Sequence, residues 1–280
     1  MPYRPTLAPR IAFVLIGLAA LVQAGACLDF DGLAGGAAPF DAGPDVIAEV
    51  DGSVDAGEPD APPRRIVLRG TAQAGPVEGT MPLVLALPPG IQPGDVMLLA
   101  LVSSSTSAVP VFTPDAGAPE WVSRFTINAR CKPDAGPATM GTFTVQSKVA
   151  TSGEGSVLSV LFDVPSSTKD RAAAILSVWG GTDPTSPIDT EFFAGTDDLV
   201  APGLATTVPN AQLAAFFVNP TTGGAVWTAP AGMTTRASTG YLALFDEPLG
   251  APGPTGPRRP QTTATEICGA AAMLALRPNL

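Results

Sequence analysis

Three cysteines and 25 acids carry most of the reactive side-chain chemistry of this 280-residue chain, which contains no histidine. Without histidine, the Ser-His-Asp and Cys-His nucleophiles and the common zinc sites are excluded. Neither a G-x-S-x-G elbow nor a phosphate loop with its lysine occurs. The remaining catalytic option is a tethered carbohydrate-active hydrolase working through a carboxylate pair, which needs only two acids at a suitable separation. Its candidates are Asp163, Asp183, Asp189, Glu191, Asp197, Asp198, Asp246, Glu247 and Glu266. Most stand beside Pro, Gly or Thr, the company of turns, and read as solvated loop acids. Glu266 stands in an otherwise apolar final strand and reads as an edge or frayed-start residue. Asp189, Glu191 and the Thr196-Asp197-Asp198 run offer a hard-oxygen cluster for a structural calcium as the minor alternative. Trp121, Trp179, Trp227 and Tyr241 could stack on sugar rings, but each borders an apolar run and reads as core. No catalytic, cofactor-binding or metal-ligating residue is assigned, and no cofactor is implied.

The cysteines are more informative. Cys27 directly follows the most hydrophobic stretch of the chain. The ten residues at the start hold Arg4 and Arg10 and no acid; an apolar run, IAFVLIGLAALV, fills 11–22; and Ala24, Gly25 and Ala26 precede the cysteine. A basic start, an apolar run and a small-residue zone form a secretory signal. As a helix the run is about 18 Å long, short of the ~30 Å hydrocarbon core, which disfavours an uncleaved anchor.

The segment resembles the bacterial lipoprotein signal, whose lipobox ends in a small residue followed by an acylated cysteine. Ala24 stands where that pattern prefers leucine. The resemblance implies that residues 1–26 are removed and that Cys27 becomes the lipidated first residue. Several acyl chains together give a stable membrane anchor where one gives a marginal one. The plain alternative is an ordinary signal cut near Ala26, with a free Cys27. In Gram-negative lipoproteins an aspartate just after the cysteine retains the protein at the inner membrane. Here that residue is Leu28, so the resemblance points to the outer membrane or cell surface, although Asp29 follows one position on.

Residues 27–63 then form a tether. Nine acids (Asp29, Asp31, Asp41, Asp45, Glu49, Asp51, Asp55, Glu58, Asp60) and no base lie among Ala, Gly and Pro. Such a segment cannot bury enough apolar surface to offset its ordering entropy, and its like charges extend it. The 36 residues after Cys27 span about 30–36 Å root-mean-square. The tether dominates the net charge of −10, since residues 64–280 hold 13 basic and 16 acidic residues. That near-neutral body argues against nucleic acid as a partner.

Residues 64–280 are punctuated by Pro and Gly about every ten residues. Between them lie strand-like runs at 66–73, 83–87, 95–102, 121–130, 142–150, 157–164, 172–179, 199–208, 213–218, 241–245 and 262–276. In one alternation Trp121, Ser123, Phe125, Ile127, Ala129 and Cys131 oppose Val122, Arg124, Thr126, Asn128 and Arg130. In another, Phe143, Val145, Ser147 and Val149 oppose Thr142, Thr144, Gln146 and Lys148. Period two with one polar face predicts half-buried antiparallel strands. Short strands at regular spacing predict an all-β antiparallel sandwich. The run RAAAILSVWGG (171–181) has helical propensity in its first half and reads as strand from its β-branched and aromatic second half.

The segments GDVMLLALVSSS (94–105), RAAAILSVWGGTDPTSPID (171–189), WTAPAGMTTR (227–236) and AAAMLALRP (270–278) resemble, in that order, a class of secreted bacterial and phage β-sandwich modules. That resemblance implies a jelly-roll-like fold and carries no catalytic residue across. Setting Cys27 aside for lipid leaves Cys131 and Cys268 as an even pair in an exported chain, which predicts a disulfide; two separate buried thiols are the alternative. The expected function is a lipid-anchored, non-catalytic binding or adhesion module, with the membrane as one partner and a glycan or another envelope component as the other. A purely structural envelope lipoprotein is the bland alternative.

Overall fold

The computed structural model describes residues 65–78, 82–105, 109–112, 121–131, 139–163, 171–220, 224–264 and 268–280. The signal segment, Cys27, the tether, Glu266 and the side chain of Asp163 lie outside the described residues. Among the described residues there is no helix. The strands in chain order are β1 (Val67–Glu78), β2 (Leu83–Ala86), β3 (Val96–Ser103), β4 (Val109–Phe112), β5 (Val122–Cys131), β6 (Thr139–Val149), β7 (Val157–Asp163), β8 (Arg171–Gly180), β9 (Ile188–Thr196), β10 (Ala205–Thr206), β11 (Gln212–Val218), β12 (Trp227–Thr228), β13 (Thr234–Ser238), β14 (Leu242–Pro248), β15 (Gly253–Pro254), β16 (Gln261–Thr262) and β17 (Cys268–Leu276).

The large sheet has the order β1-β8-β3-β6-β5-β17-β11-β14-β13, with β9 also paired to β17. Its two halves face each other. Val96, Leu98, Phe143, Ile175 and Trp179 of the first half share one core with Phe216, Leu244, Ala272 and Leu274 of the second. A three-stranded sheet, β2-β7-β4, covers the outer side of the first half. The outer side of the second half packs on the segments around β10 and β12 and the residue before β13, through Leu199, Leu204, Trp227 and Met233. Strands β3, β8, β11 and β17 are therefore buried on both faces, and their continuous apolar runs (MLLALV, AAAILSVW, LAAFFV, AAAMLAL) follow from that.

The first eight strands wind as a jelly roll. The orders β1-β8-β3-β6 and β2-β7-β4 are those of two interleaved Greek keys, with one departure. In that winding the fifth strand lies beside the fourth and completes the smaller sheet. Here β5 lies beside β6 and extends the larger one.

Several expectations are corrected. The predicted strand at 199–208 is a loop with only Ala205–Thr206 in strand form, and the final predicted run is broken into β16 and β17. Strands β4, β9, β12, β13 and β15 arise where no strand is expected from the sequence. The alternation over 121–131 is interrupted by a register shift between Ser123 and Phe125. Trp121 therefore packs with the outer cluster, while Phe125, Ile127 and Ala129 face the inner one. Finally, Thr142, Thr144, Gln146 and Lys148 are buried, so β6 has no solvated face.

Candidate functional site

Five of the candidate acids, Asp183, Asp189, Asp198, Asp246 and Glu247, are held by their own donors. Asp183 accepts from the amides of Thr185 (2.8 Å) and Ser186 (3.3 Å) and shapes a turn. Asp246 is buried and accepts from Arg236 Nε (2.6 Å) and Gln212 Nε2 (3.0 Å). Glu247, next along β14 and on the opposite face, accepts from Arg258 (2.7 Å). Glu191 and Asp197 are exposed. Asp189 sits at an irregularity where β9 pairs with β17. Burial would raise its pKa, but the hydroxyl and amide of Thr207 and the guanidinium of Arg277 outweigh this and hold it below the ordinary value. Asp198 is likewise lowered, chiefly by the Thr196 hydroxyl at 2.6 Å, helped by the Val200 amide and Arg259. A glycosidase acid needs the opposite shift. Among the described residues no three Cys, Asp or Glu side chains gather as a metal site.

Three of the four aromatic candidates are core. Trp179 donates from Nε1 to Ser177 Oγ (2.9 Å), Trp227 to the Thr239 carbonyl (3.1 Å), and the Tyr241 hydroxyl accepts from Arg171 (2.8 Å). Their polar atoms are satisfied internally, as buried aromatics require. Trp121 is half-buried at the entry to β5 and packs with the outer cluster.

The cysteines meet at the junction of the two halves. Cys131 ends β5, Cys268 begins β17, and they are register partners with Sγ–Sγ 2.10 Å and Cα–Cα 3.8 Å. Among the described residues the ladder between β5 and β17 comprises this pair and Arg130 with Gly269. Gly269 also pairs with Thr196, so three strands converge there. Glycine is required by space: a Cβ on Gly269 would lie 2.5 Å from Leu199 Cδ2, and one on Gly195 2.7 Å from the Asn128 carbonyl.

The structure also brings together residues whose polar alternation predicts the solvated face of a strand. On the outer side of the first half, β3 presents Met97, Leu99 and Leu101, and their cross-strand partners on β6 are Lys148, Gln146 and Thr144. The next partners outward, on β5, are Ser123 beside Gln146, Thr126 beside Thr144 and Asn128 beside Thr142. The surface thus changes abruptly from apolar to hydroxyl and amide at the β3/β6 boundary. The β6 row is 2–7% exposed, whereas Ser123, Thr126 and Asn128 are exposed. The Thr126 and Thr144 hydroxyls are 3.0 Å apart, Thr142 donates to the Ser105 carbonyl (2.8 Å), and Lys148 pairs with Glu154 (2.9 Å). Gln146 Oε1 is buried without a hydrogen-bond partner. Sequence alone pointed to these residues only through their polar alternation, which cannot tell a buried polar row from a wet one.

No protein-family model, curated protein or solved structure matches this chain.

Proposed function

We propose that this chain is an exported lipoprotein, anchored through an acylated Cys27, whose acidic tether holds a non-catalytic β-sandwich binding module away from the membrane. The observation that carries the reading is the meeting of Cys131 and Cys268 across β5 and β17. Disulfides persist in oxidising compartments outside the cytosol. Pairing these two leaves Cys27 as the odd cysteine, directly after a signal-like apolar run. The non-catalytic part is supported by the candidate acids: those with described donors are engaged by arginine, hydroxyl or turn amides, and the two resolved shifts go down. Leu28 after the cysteine favours the outer membrane or cell surface.

The test is a Cys27→Ser variant expressed in a Gram-negative host with radiolabelled palmitate. The expected result is loss of both acyl label and membrane association. A Cys27→Ser protein that stays in the membrane fraction would overturn the lipid-anchor reading in favour of an uncleaved apolar helix.

A further inference from the structure

We propose that the cavity between Asp198 and Arg259 binds the α-amino-acid head of a ligand, an ammonium and a carboxylate carried on one carbon. This deepens the reading of the β-sandwich as a binding module and rests on it.

The first ground is the cavity. A space of about 470 Å³ lies between the turn that follows β9 and the segment that forms β16. It is lined by Asp198, Leu199, Arg259, Pro260, Gln261 and Thr262, and its size falls in the range of small-ligand sites. Leu199 and Pro260 are buried and supply an apolar wall; Asp198 and Thr262 are half-buried, and Arg259 and Gln261 are exposed. The second ground is unspent charge. Asp198 Oδ1 accepts from the Thr196 hydroxyl (2.6 Å) and the Val200 amide (3.2 Å), which fixes the carboxylate and leaves Oδ2 without a hydrogen-bond partner among the described residues. The Arg259 guanidinium is near enough to favour the charged form of Asp198, yet it forms no hydrogen bond or ion pair among the described residues. Arg69, Arg236, Arg258 and Arg277 each close directly on a carboxylate. Arg259 and Asp198 line one cavity and stay apart. The third ground is the backbone. Leu199 has φ +58°, a left-handed conformation that a bulky residue rarely adopts, and such strain collects at ligand sites.

Charge narrows the ligand class. A simple anion would meet the Asp198 carboxylate, kept ionised chiefly by the Thr196 hydroxyl. A simple cation would meet Arg259. A neutral group would take both charges out of water without pairing either. A ligand that carries both charges satisfies both: its ammonium donates to Asp198 Oδ2, and its carboxylate accepts the parallel N–H bonds of the guanidinium. The cavity has room for more than the head, and the wall of Leu199 and Pro260 suits a methylene chain behind it. This chemistry comes either from a free amino acid or from the far end of a diamino acid built into a wall peptide.

The experiment is calorimetric titration of the purified full-length chain at neutral pH. The probes are free leucine, free meso-diaminopimelate, and the wall tripeptide L-Ala-γ-D-Glu-meso-diaminopimelate, which keeps one free head. The controls are the same molecules with the amine of that head acetylated or its carboxylate amidated. At least one intact probe is expected to bind, and both of its controls to bind about tenfold or more weakly. Binding of a free amino acid identifies a soluble ligand, and binding of the tripeptide alone identifies the wall peptide; either supports the proposal. Arg259→Gln changes an exposed side chain that holds nothing else, so it is expected to weaken binding about tenfold or more with the urea midpoint unchanged. Asp198→Asn keeps an oxygen for Thr196 and Val200 and is expected to weaken binding comparably. The proposal is overturned if no intact probe binds, as when water alone fills the cavity. It is equally overturned if a control binds as well as its parent or if Arg259→Gln keeps wild-type affinity. Neither variant touches Cys27, so a failure here is distinct from a failure of the anchoring test.

Discussion

The strongest quantitative expectation concerns the Cys131–Cys268 pair. Reduction of the folded chain changes no residue and removes one covalent link between β5 and β17. The pair closes a loop with a sequence separation of 137. On the chain-entropy model, opening a loop of that size in the unfolded ensemble is worth about 5 kcal/mol at 25 °C, and measured effects commonly fall to about 2–4 kcal/mol. Among the described residues, two register pairs join these strands, Cys131 with Cys268 and Arg130 with Gly269, so the cross-link is a large part of what is seen to hold them together there. With a urea dependence of about 3 kcal/mol per M for a domain of this size, the midpoint should fall by about 1 M on reduction. The assay is urea unfolding of the full chain with and without reductant, followed by fluorescence. Thiol counting by mass spectrometry after alkylation in denaturant shows which cysteines are free. The reasoning is refuted if Cys131 and Cys268 alkylate in the unreduced, denatured chain. It is also refuted if reduction proceeds to completion and the midpoint stays put.

Two further outcomes follow from the same junction and its neighbours. Gly269→Ala would bring a methyl within 2.5 Å of Leu199 Cδ2 and 2.8 Å of the Thr196 carbonyl, so it should destabilise by about 1–3 kcal/mol, seen as a lower urea midpoint; an unchanged midpoint would show that the three strands can part freely. Asp189 and Asp198 have folded pKa values below the ordinary carboxylate value near 4, so their stabilising contribution is complete above the unfolded value and is lost as pH falls through the folded one. Urea midpoints should therefore drop as pH is lowered below about 4, and Asp189→Asn should be less stable at pH 7 with a shallower acid limb. A midpoint for the wild-type chain that rises on acidification would contradict this.

How much of the fold was legible follows from what each strand packs against. Strands β3, β8, β11 and β17 are buried on both faces and announce themselves as apolar runs. Strand β9 is hard to read from sequence because, among the described residues, it pairs with β17 alone and carries Asp189 and Glu191, which composition assigns to a turn. Its Asp189 is in fact a structural ion-pair partner of Arg277. The segment 199–208 misled in the opposite sense: Leu199, Ala201 and Leu204 are apolar because they cap the outer core cluster, without strand pairing over most of the segment. The bulge between Ser123 and Phe125 flips the face of Trp121 relative to Phe125, and no residue type in the segment signals it. The pairing of Cys131 with Cys268 was legible by elimination once Cys27 was set aside, but their placement as direct register partners was not.

The position of β5 links these observations. Cys131 and Arg130 hold the end of β5 against Cys268 and Gly269, and the bulge at Asn128/Arg130 coincides with Gly141 on β6. Gly141 has φ +74°, and a Cβ there would lie 2.3 Å from the Ser103 carbonyl, so this part of the β6 ladder depends on glycine. A strand fixed in this way at its end and along β6 cannot also lie beside β4 to complete the smaller jelly-roll sheet. The cross-link that joins the two halves of the large sheet and the opening that leaves Ser123, Thr126 and Asn128 exposed are consequences of one choice of neighbour. The polar character of Ser123, Thr126 and Asn128 follows the same choice, because positions left exposed on β5 have no reason to continue the apolar run of β3.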